Sequence, residues 1–236
     1  MGTTLQAIES PRQPPTDLSP VVPLSLIAPL EAFDSAELSP AGKAEALAAL
    51  DARFVRGCVK CGLSTTRRNT VFGEGNPDAR LLFIGEGPGA TEDQHGRPFI
   101  GRAGQKLDEM IRAIGYSRDQ VFICNVVKCR AFIADAGKDR PPLPEEAAAC
   151  MPYLHRQIEI VRPRVIVTLG LSASQYLLGV KESMSRLRGK WRTWRDIPVM
   201  PTFHPSYILR VYTTEIRRAV WDDLKQVKAK LDSVLS

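Results

Sequence analysis

Short, almost wholly apolar runs alternate with amphipathic stretches through the middle of the chain. Residues 81–85 and 165–169 predict buried strands, and residues 121–127 predict a third. Apolar positions three and four residues apart predict helices over residues 105–114, 144–161 and 172–178. This repeated alternation predicts an α/β fold with a mostly parallel sheet and helices on both of its faces.

Further elements flank this block. Residues 39–54 predict a helix, because Ser39 can cap its amino end and apolar residues follow at helical spacing. Residues 190–203 predict a hairpin whose second arm leads to Phe203. An apolar stripe at every third or fourth position between residues 216 and 231 predicts a closing amphipathic helix.

The first 38 residues differ from the rest in their proline content. They contain Pro11, Pro14, Pro15, Pro20, Pro23 and Pro29. Proline lacks a backbone donor and disfavours helix at the preceding residue. We therefore expect residues 1–38 to be a proline-rich leader, flexible or docked, and residues 39–236 to form a single domain.

Composition narrows the class of partner. A net charge of +6 and an isoelectric point near 9.2 are compatible with a polyanion such as nucleic acid. No run of 18 apolar residues suggests a membrane span, and the amino end lacks the pattern of a secretory signal. We expect a cytoplasmic protein that does not bind membranes.

In an open parallel sheet, ligands bind beyond the carboxyl ends of the strands. The first predicted strand ends in the turn Gly85-Glu86-Gly87-Pro88-Gly89, where glycines allow close backbone approach. The turn matches neither a dinucleotide-binding loop nor a P-loop. It is either a structural turn or a ligand-binding turn, and Glu86 favours the second interpretation because a carboxylate there can orient water or sugar hydroxyls.

Three more side chains belong to this predicted edge. Phe99 is either core packing or a stacking platform for a base, a contact that contributes about 1–3 kcal/mol. Asn125 is the polar residue of an apolar strand and is either satisfied by neighbouring backbone or a base reader, since an amide both donates and accepts. His204 lies in a proline-containing loop and is a candidate donor to a departing base.

Cysteine spacing suggests a metal site. The chain has five cysteines, Cys58, Cys61, Cys124, Cys129 and Cys150. The C-x-x-C pair is typical of metal or redox chemistry, and four thiolates can hold either zinc or an iron–sulfur cluster. Cys124 and Asn125 point to opposite faces of their strand, so we interpret Cys124 as a small buried hydrophobe.

Together these motifs resemble a known family. The segment VFGEGNPDARLLFIGEGPGATEDQHGRPFIGRAGQKL, followed by NVVKC, GKW and FHPSY, resembles the iron–sulfur-containing family 4 uracil-DNA glycosylases over residues of about 50 to 235. The resemblance implies a three-layer α/β/α sandwich with a structural [4Fe–4S] cluster on Cys58, Cys61, Cys129 and Cys150. It also implies a monofunctional enzyme that hydrolyses the N-glycosidic bond of uracil in DNA and leaves an abasic site.

The resemblance also implies roles for the site residues. Uracil would be bound by Gly85, Glu86, Gly87, Phe99, Asn125 and His204, and catalysis would depend on Glu86 and His204. Asn125 would accept from N3–H of uracil and donate to O4, whereas cytosine presents the reverse pattern. The base must leave the stack, and we expect DNA contacts from Ser206, Tyr207, Leu209 and Arg210, with an apolar–basic tip wedged into the gap.

Two departures from the family pattern bear on mechanism. Other glycosylases carry a water-activating Asp in the first motif, and the corresponding position here is Gly87, which predicts a dissociative, oxocarbenium-like reaction. Residues 130–149 form a loop that looks longer than usual, and it lacks the histidine with which a related branch traps DNA covalently. We therefore expect turnover.

Two alternatives remain open on the sequence. One is a non-catalytic protein that binds uracil or damaged DNA, and the other is a zinc-stabilised nucleic-acid-binding module. The predicted partner is uracil-containing DNA, single- or double-stranded, and the predicted state is a monomer.

Overall fold

The computed structural model describes residues 38–133 and 135–233. The strands in this part of the chain are β1 (Glu74–Gly75), β2 (Leu81–Gly85), β3 (Phe122–Asn125), β4 (Phe132–Ile133), β5 (Lys138–Asp139), β6 (Val165–Leu169), β7 (Arg192–Trp194) and β8 (Ile197–Thr202). The helices are α1 (Pro40–Leu50), α2 (Ala90–His95), α3 (Arg102–Ala113), α4 (Pro144–Val161), α5 (Leu171–Leu178), α6 (Met184–Leu187), α7 (Pro205–Arg210) and α8 (Thr214–Ser233). The predicted proline-rich leader lies outside the described residues, apart from Leu38.

Six of the strands form one sheet in the order β1-β3-β2-β6-β8-β7. The inner pairs β3–β2, β2–β6 and β6–β8 are parallel, and the two edge strands pair antiparallel. In register, Gly85 lies opposite Asn125, and Leu169 lies opposite Thr202. The carboxyl ends of the four parallel strands therefore meet at one edge, and the predicted site residues start there.

Helices cover both faces of the sheet. Leu82 and Ile84 face a core shared with α1, α4 and α5, whereas Leu81 and Phe83 face a core shared with α3 and α8. Every residue of β2 and β6 is buried, because a parallel strand covered on both faces has no solvent side. These two cores confirm the predicted α/β class and the three-layer arrangement.

Strands β2 and β6 and helix α4 have the predicted bounds, whereas α3 begins three residues earlier than predicted and α1 ends at Leu50, followed by a π-helical turn over Asp51–Val55. The third strand is shorter than predicted and ends at Asn125, although Val126 and Val127 still donate backbone hydrogen bonds to the carbonyls of Gly85 and Glu86 (2.9 and 3.2 Å). The hairpin predicted over residues 190–203 is formed by β7 and β8. Among the helices of the described residues, none combines the length and apolar character that a membrane crossing requires.

The loop that the sequence predicted between residues 130 and 149 is partly structured. Strands β4 and β5 pair antiparallel as a small hairpin, held by the Arg130–Asp139 ion pair at 2.6 Å. Arg140 then donates to both carboxylate oxygens of Glu146 at 2.7 and 2.6 Å, where α4 begins. The hairpin is thereby fixed beside the carboxyl edge of the sheet.

Candidate active site

A cleft of about 780 Å³ opens at the carboxyl edge of the parallel strands. It is lined by the turn after β2, the end of β3, the start of α5, the segment that opens α7, and the residues that follow the β4–β5 hairpin. Eight of the residues predicted from the sequence line it: Glu86, Gly87, Phe99, Asn125, His204, Ser206, Tyr207 and Arg210. Topology alone brings these residues together, because they are spread over more than half of the chain.

Phe99 is held in an unusual backbone conformation. Its φ is +50°, a region that few non-glycine residues adopt. Arg118 stabilises this conformation by donating to the Phe99 carbonyl at 3.1 Å and to that of Pro98. Gly104 allows it, because a Cβ there would lie 2.9 Å from the Phe99 Cα and closer still to its carbonyl. The ring position is therefore determined by its neighbours.

Gly85 forms the floor beneath this ring. A Cβ at Gly85 would lie 2.7 Å from Cε2 of Phe99, and even closer to Cζ of that ring and to Oδ1 of Asn125. Real Cβ atoms do not approach other atoms so closely, so the glycine is required for the two side chains to converge. Gly85 itself is buried and does not line the cleft.

The amide of Asn125 has an unsatisfied acceptor. Asn125 is 1% exposed, and its Oδ1 is buried without any hydrogen-bond partner among the described residues. An unpaired buried polar atom costs about 1–3 kcal/mol. Its position in the cleft wall is typical of a group that a ligand satisfies.

Lys128 holds the backbone of Asn125 in place. It is 1% exposed, and its Nζ donates to the Asn125 carbonyl and to Oε1 of Gln157, both at 2.6 Å. Gln157 in turn donates to the Phe72 carbonyl at 2.9 Å. The end of β3 is thus cross-linked to α4.

His204 is oriented by the helix that it caps. The backbone N–H of Ser206 donates to its Nδ1 at 3.1 Å, and the Ser206 hydroxyl lies 2.7 Å from the same atom. Because a backbone N–H can only donate, Nδ1 is the acceptor and the ring proton is on Nε2. Burial lowers the pKa of His204 to about 4, although the Glu92 carboxylate opposes the shift. The imidazole is therefore neutral at pH 7.

Glu86 lies across the cleft with one carboxylate oxygen engaged. Its Oε2 accepts from the hydroxyl of Ser172, at the start of α5. Both residues line the cleft, and both are half-buried. Ser172 was not singled out from the sequence, since a serine in the first turn of a helix is usually a capping residue.

Glu92 is a second residue that sequence reasoning missed. It lies in α2, lines the cleft, and accepts with Oε1 from the backbone N–H groups of Ile100 and Gly101 at 2.9 and 2.8 Å. These bonds fix the segment that follows Phe99. The sequence carries no signal for this role, because acidic residues in the first turn of a helix are common.

The segment predicted to contact DNA has one side in the cleft. Ser206 and Arg210 are exposed, and Tyr207 stacks on Phe203 with ring centroids 5.0 Å apart. The Arg210 guanidinium lies 5.5 Å from the centre of the Tyr207 ring. Leu209 is half-buried and, unlike the other three predicted DNA contacts, does not line the cleft.

Four cysteines meet in a separate cavity. It is small and enclosed beneath Tyr153, with Cys58, Cys61, Cys129 and Cys150 in its wall. All four sulfurs have hydrogen-bonding neighbours: the Lys128 backbone N–H to Cys150 (3.3 Å), Arg67 to Cys129 (3.3 Å), the Tyr153 hydroxyl beside Cys58 (3.4 Å) and the Leu63 backbone N–H at Cys61. Cys124 lies outside this cavity and is buried within the sheet, as predicted.

Burial makes three of these thiols weaker acids than usual. Burial raises the pKa of Cys61 and Cys129, and it raises that of Cys150 to about 12. In the part of the chain that the structure describes, no three His, Cys, Asp or Glu side chains are arranged to hold a single metal ion.

Comparison with known proteins shows which family the chain is similar to. The model of the uracil DNA glycosylase superfamily matches residues 72–225. A type-4 uracil-DNA glycosylase of Thermotoga maritima is 48% identical over 177 residues, which are 74% of this chain and 90% of that protein. Enzymes with the same description from Saccharolobus solfataricus and Sulfurisphaera tokodaii are 45% and 43% identical, over 76% and 74% of this chain and 84% and 80% of their own lengths.

Proposed function

The chain belongs to the uracil DNA glycosylase superfamily, and from this membership we propose that it is a monofunctional uracil-DNA glycosylase of base excision repair. It hydrolyses the N-glycosidic bond of deoxyuridine in DNA and leaves an abasic site. The observation that carries the proposal is the unsatisfied Oδ1 of Asn125 in the wall of the cleft. It is the acceptor that N3–H of uracil requires.

Recognition of the base follows from this amide. Uracil offers N3–H as a donor and O4 as an acceptor, so a single amide can pair with both. Cytosine has an unprotonated N3 and an amino group at position 4, and it would leave Oδ1 opposite a lone pair. Leaving buried polar groups unpaired is how such sites reject analogues. Lys128 holds the backbone carbonyl of Asn125 and so fixes the position from which the side-chain amide projects.

The base has to leave the DNA stack to reach this reader. Extrusion costs a few kcal/mol, and stacking between side chains in the pocket offsets part of it. Phe99 supplies the ring on which uracil stacks, and Gly85 leaves the space that keeps the ring beside Asn125. His204 limits the pocket on the side away from Asn125, since its ring centroid lies 5.8 Å from that of Phe99.

His204 stabilises the leaving base. As the glycosidic bond breaks, negative charge develops on uracil O2, and a fixed donor directed at that atom lowers the barrier. The Nε2–H of a neutral imidazole is such a donor, since Nδ1 is occupied by the Ser206 backbone N–H. A pKa of about 4 leaves this donor unchanged across the physiological range.

Glu86 acts on the sugar side of the bond. An oxocarbenium-like transition state carries positive charge on the sugar, which a nearby carboxylate stabilises while it orients the attacking water. Ser172 positions the carboxylate through its hydroxyl. With glycine at position 87, departure of the base precedes attack by water, so His204 carries more of the catalysis.

Helix α7 contacts the DNA backbone and the vacated stack. Ser206 is suited to a phosphate and Arg210 to the neighbouring backbone, and both are exposed. Tyr207 and Leu209 fill the gap left by the flipped base. If Leu209→Ala left activity on duplex DNA and base flipping unchanged, this wedge assignment would be wrong.

The four cysteines in the wall of one cavity support the [4Fe–4S] cluster that the family resemblance implies. Cys58, Cys61, Cys129 and Cys150 would hold it, and the charge of its iron would offset the raised pKa values of these buried thiols. A bound cluster supplies a covalent cross-link and no step of the excision chemistry. Because Cys129 is four residues from Asn125, the cross-link stabilises the loop that follows the base reader.

Cysteine variants test the cluster directly. Replacing any of the four proposed ligands by alanine should lower the iron content and remove the brown colour of the purified protein. Cys124→Ala is the matched control, because this cysteine lies outside the cavity. Stoichiometric zinc in a colourless protein would instead favour the zinc-stabilised module.

The excision assay uses oligonucleotides that carry one uracil, single- and double-stranded, followed by alkaline cleavage of abasic sites. Scission that is lost in Asn125→Ala and His204→Ala supports the enzyme and its pocket together. His95→Ala is the control, since this exposed histidine does not line the cleft. Binding of uracil-DNA without scission would favour the non-catalytic binder, and sedimentation of the active protein tests the monomer.

A further inference from the structure

An exposed tyrosine between α7 and α8 is flanked by two cations. Tyr212 is 62% exposed. The Nζ of Lys106, on α3, lies 6.0 Å from the centre of its ring, and the guanidinium of Arg217, on α8, lies 5.0 Å from it. Three separate elements thus place an aromatic face and two positive charges together. We call these three residues the Tyr212 platform.

The platform adjoins the cleft on two sides. Ala103 lines the cleft, and Lys106 follows it three residues later, on the same face of α3. Arg210 also lines the cleft, two residues before Tyr212. A strand of DNA that leaves the cleft along α7 therefore meets Tyr212 next.

Among the exposed large hydrophobic side chains of residues 38–133 and 135–233, Tyr212 is distinguished by its charges. The others are Val59, Leu143 and Leu171, which have no ring, and Trp221, which has one cation over its ring, Lys225 at 5.9 Å, where Tyr212 has two. Lys106 also forms an ion pair with Glu109 at 2.6 Å. Arg210 and Arg217 remain as additional positive charges, and the net charge of this group of four side chains is positive. This combination is complementary to a nucleotide, which has a flat base and a negative phosphate.

We propose that the Tyr212 platform binds an unpaired nucleotide of the uracil-containing strand, a few residues away from the flipped base. The ring stacks on its base, and Lys106 and Arg217 contact its phosphate. Aromatic faces beside basic side chains are how single-stranded nucleic acid is bound without sequence preference. In a duplex the flanking bases are stacked on one another, so the platform favours single-stranded substrate. The inference rests on the proposed excision of uracil.

The distance from the cleft to Tyr212 determines how many nucleotides separate the bound nucleotide from the uracil. Helix α7 has six residues and is roughly 9 Å long. One DNA strand rises about 3.4 Å per nucleotide, so the bound nucleotide lies within about three positions of the uracil. Oligonucleotides that are shortened from one side should therefore lose the contact at a defined length.

The test measures kcat and KM for excision from single-stranded oligonucleotides whose flanks are shortened separately at the 5′ and 3′ sides. We expect Tyr212→Ala to raise KM about 5- to 100-fold on long substrates, with kcat unchanged, and to have no effect once the contacted nucleotide is removed. Tyr212→Phe should retain the wild-type KM. Trp221→Ala is the matched control, since it removes another exposed aromatic ring that has a lysine over its face.

A binding measurement separates this proposal from the excision reaction. Fluorescence anisotropy with an unmodified thymidine oligonucleotide should show weaker binding by Tyr212→Ala, and Arg217→Ala should reduce the salt slope of binding by about 0.7. An effect no larger than that of Trp221→Ala, or one independent of flank length, would overturn the platform. If the wild-type protein excises no uracil but Tyr212→Ala still weakens binding, the proposed enzyme fails and the platform stands.

Discussion

Replacing Gly85 by alanine should impair the binding and excision of uracil while the protein remains folded. The new methyl group would lie 2.7 Å from Cε2 of Phe99 and closer still to Asn125 Oδ1. Carbon atoms pack at about 3.5–4.0 Å, so the Phe99 ring has to move by about 1 Å. The backbone of Phe99 cannot shift to relieve this contact. Arg118 holds its carbonyl, and the same backbone already packs closely against Gly104.

The size of the effect follows from this displacement. Overpacking of a buried position costs about 1–3 kcal/mol of stability, which a domain of this size tolerates. A misplacement of about 1 Å at a reacting site can lower the rate about 100-fold. We therefore expect Gly85→Ala to remain folded and to lose about two orders of magnitude in kcat/KM, because both Phe99 and Asn125 are displaced. Gly104→Ala should be worse, since it collides with backbone.

The assay is single-turnover excision from a single-uracil oligonucleotide, with urea unfolding of the same preparations. Gly62→Ala is the control, because a Cβ there meets nothing within 4 Å. Wild-type kcat/KM in Gly85→Ala would refute the assignment of Phe99 and Asn125 to the base pocket. Equal losses of activity and folded protein would show that the glycine serves folding alone.

Two further predictions concern buried groups. Histidine in the unfolded chain binds a proton below about pH 6.5, whereas burial lowers the pKa of His204 in the folded protein to about 4. The unfolded state therefore binds more protons between these two pH values, and the free energy of unfolding should fall as the pH drops from about 6.5 to about 4. Above about pH 6.5 His204 should make no contribution to the pH dependence. Ring titration by NMR with a midpoint at or above 6.5 would contradict the neutral donor. Lys128→Met should leave the Asn125 carbonyl and Gln157 Oε1 without their donor, which costs about 1–3 kcal/mol for each unpaired group, and urea unfolding that shows no loss would refute this role of the buried lysine.

The strands and helices could be predicted because their patterns are local. The apolar runs of β2 and β6 and the amphipathic pattern of α4 have the predicted bounds, since hydrophobic periodicity decides elements of this kind. The end of β3 was predicted two residues too late. Val126 and Val127 are apolar and buried, as strand residues would be, but the chain already turns there toward the cysteine cavity.

Most of the predicted residues do line the cleft, but the hydrogen bonds that arrange them could not be predicted from the sequence. Asn125 and His204 stood out because a polar residue in an apolar strand and a histidine in a proline loop are unusual. Glu92 and Ser172 did not stand out, because an acid in the first turn of a helix and a serine near a helix start are common. Their roles depend on hydrogen bonds to residues that are distant in sequence, which no local pattern reveals.

The arrangement of acidic groups explains how the cleft works with a glycine at position 87. A Cβ at Gly87 would lie 2.8 Å from Cγ2 of Val127, so this position accepts a larger side chain only if Val127 moves. Glu92 is committed to two backbone N–H groups, and Asp139 is paired with Arg130. Of the carboxylates that line the cleft, Glu86 is therefore the one whose partner, a serine hydroxyl, leaves it able to orient water. We therefore propose that Glu86 orients the water and that the reaction gains most of its rate from stabilising the departing base at His204.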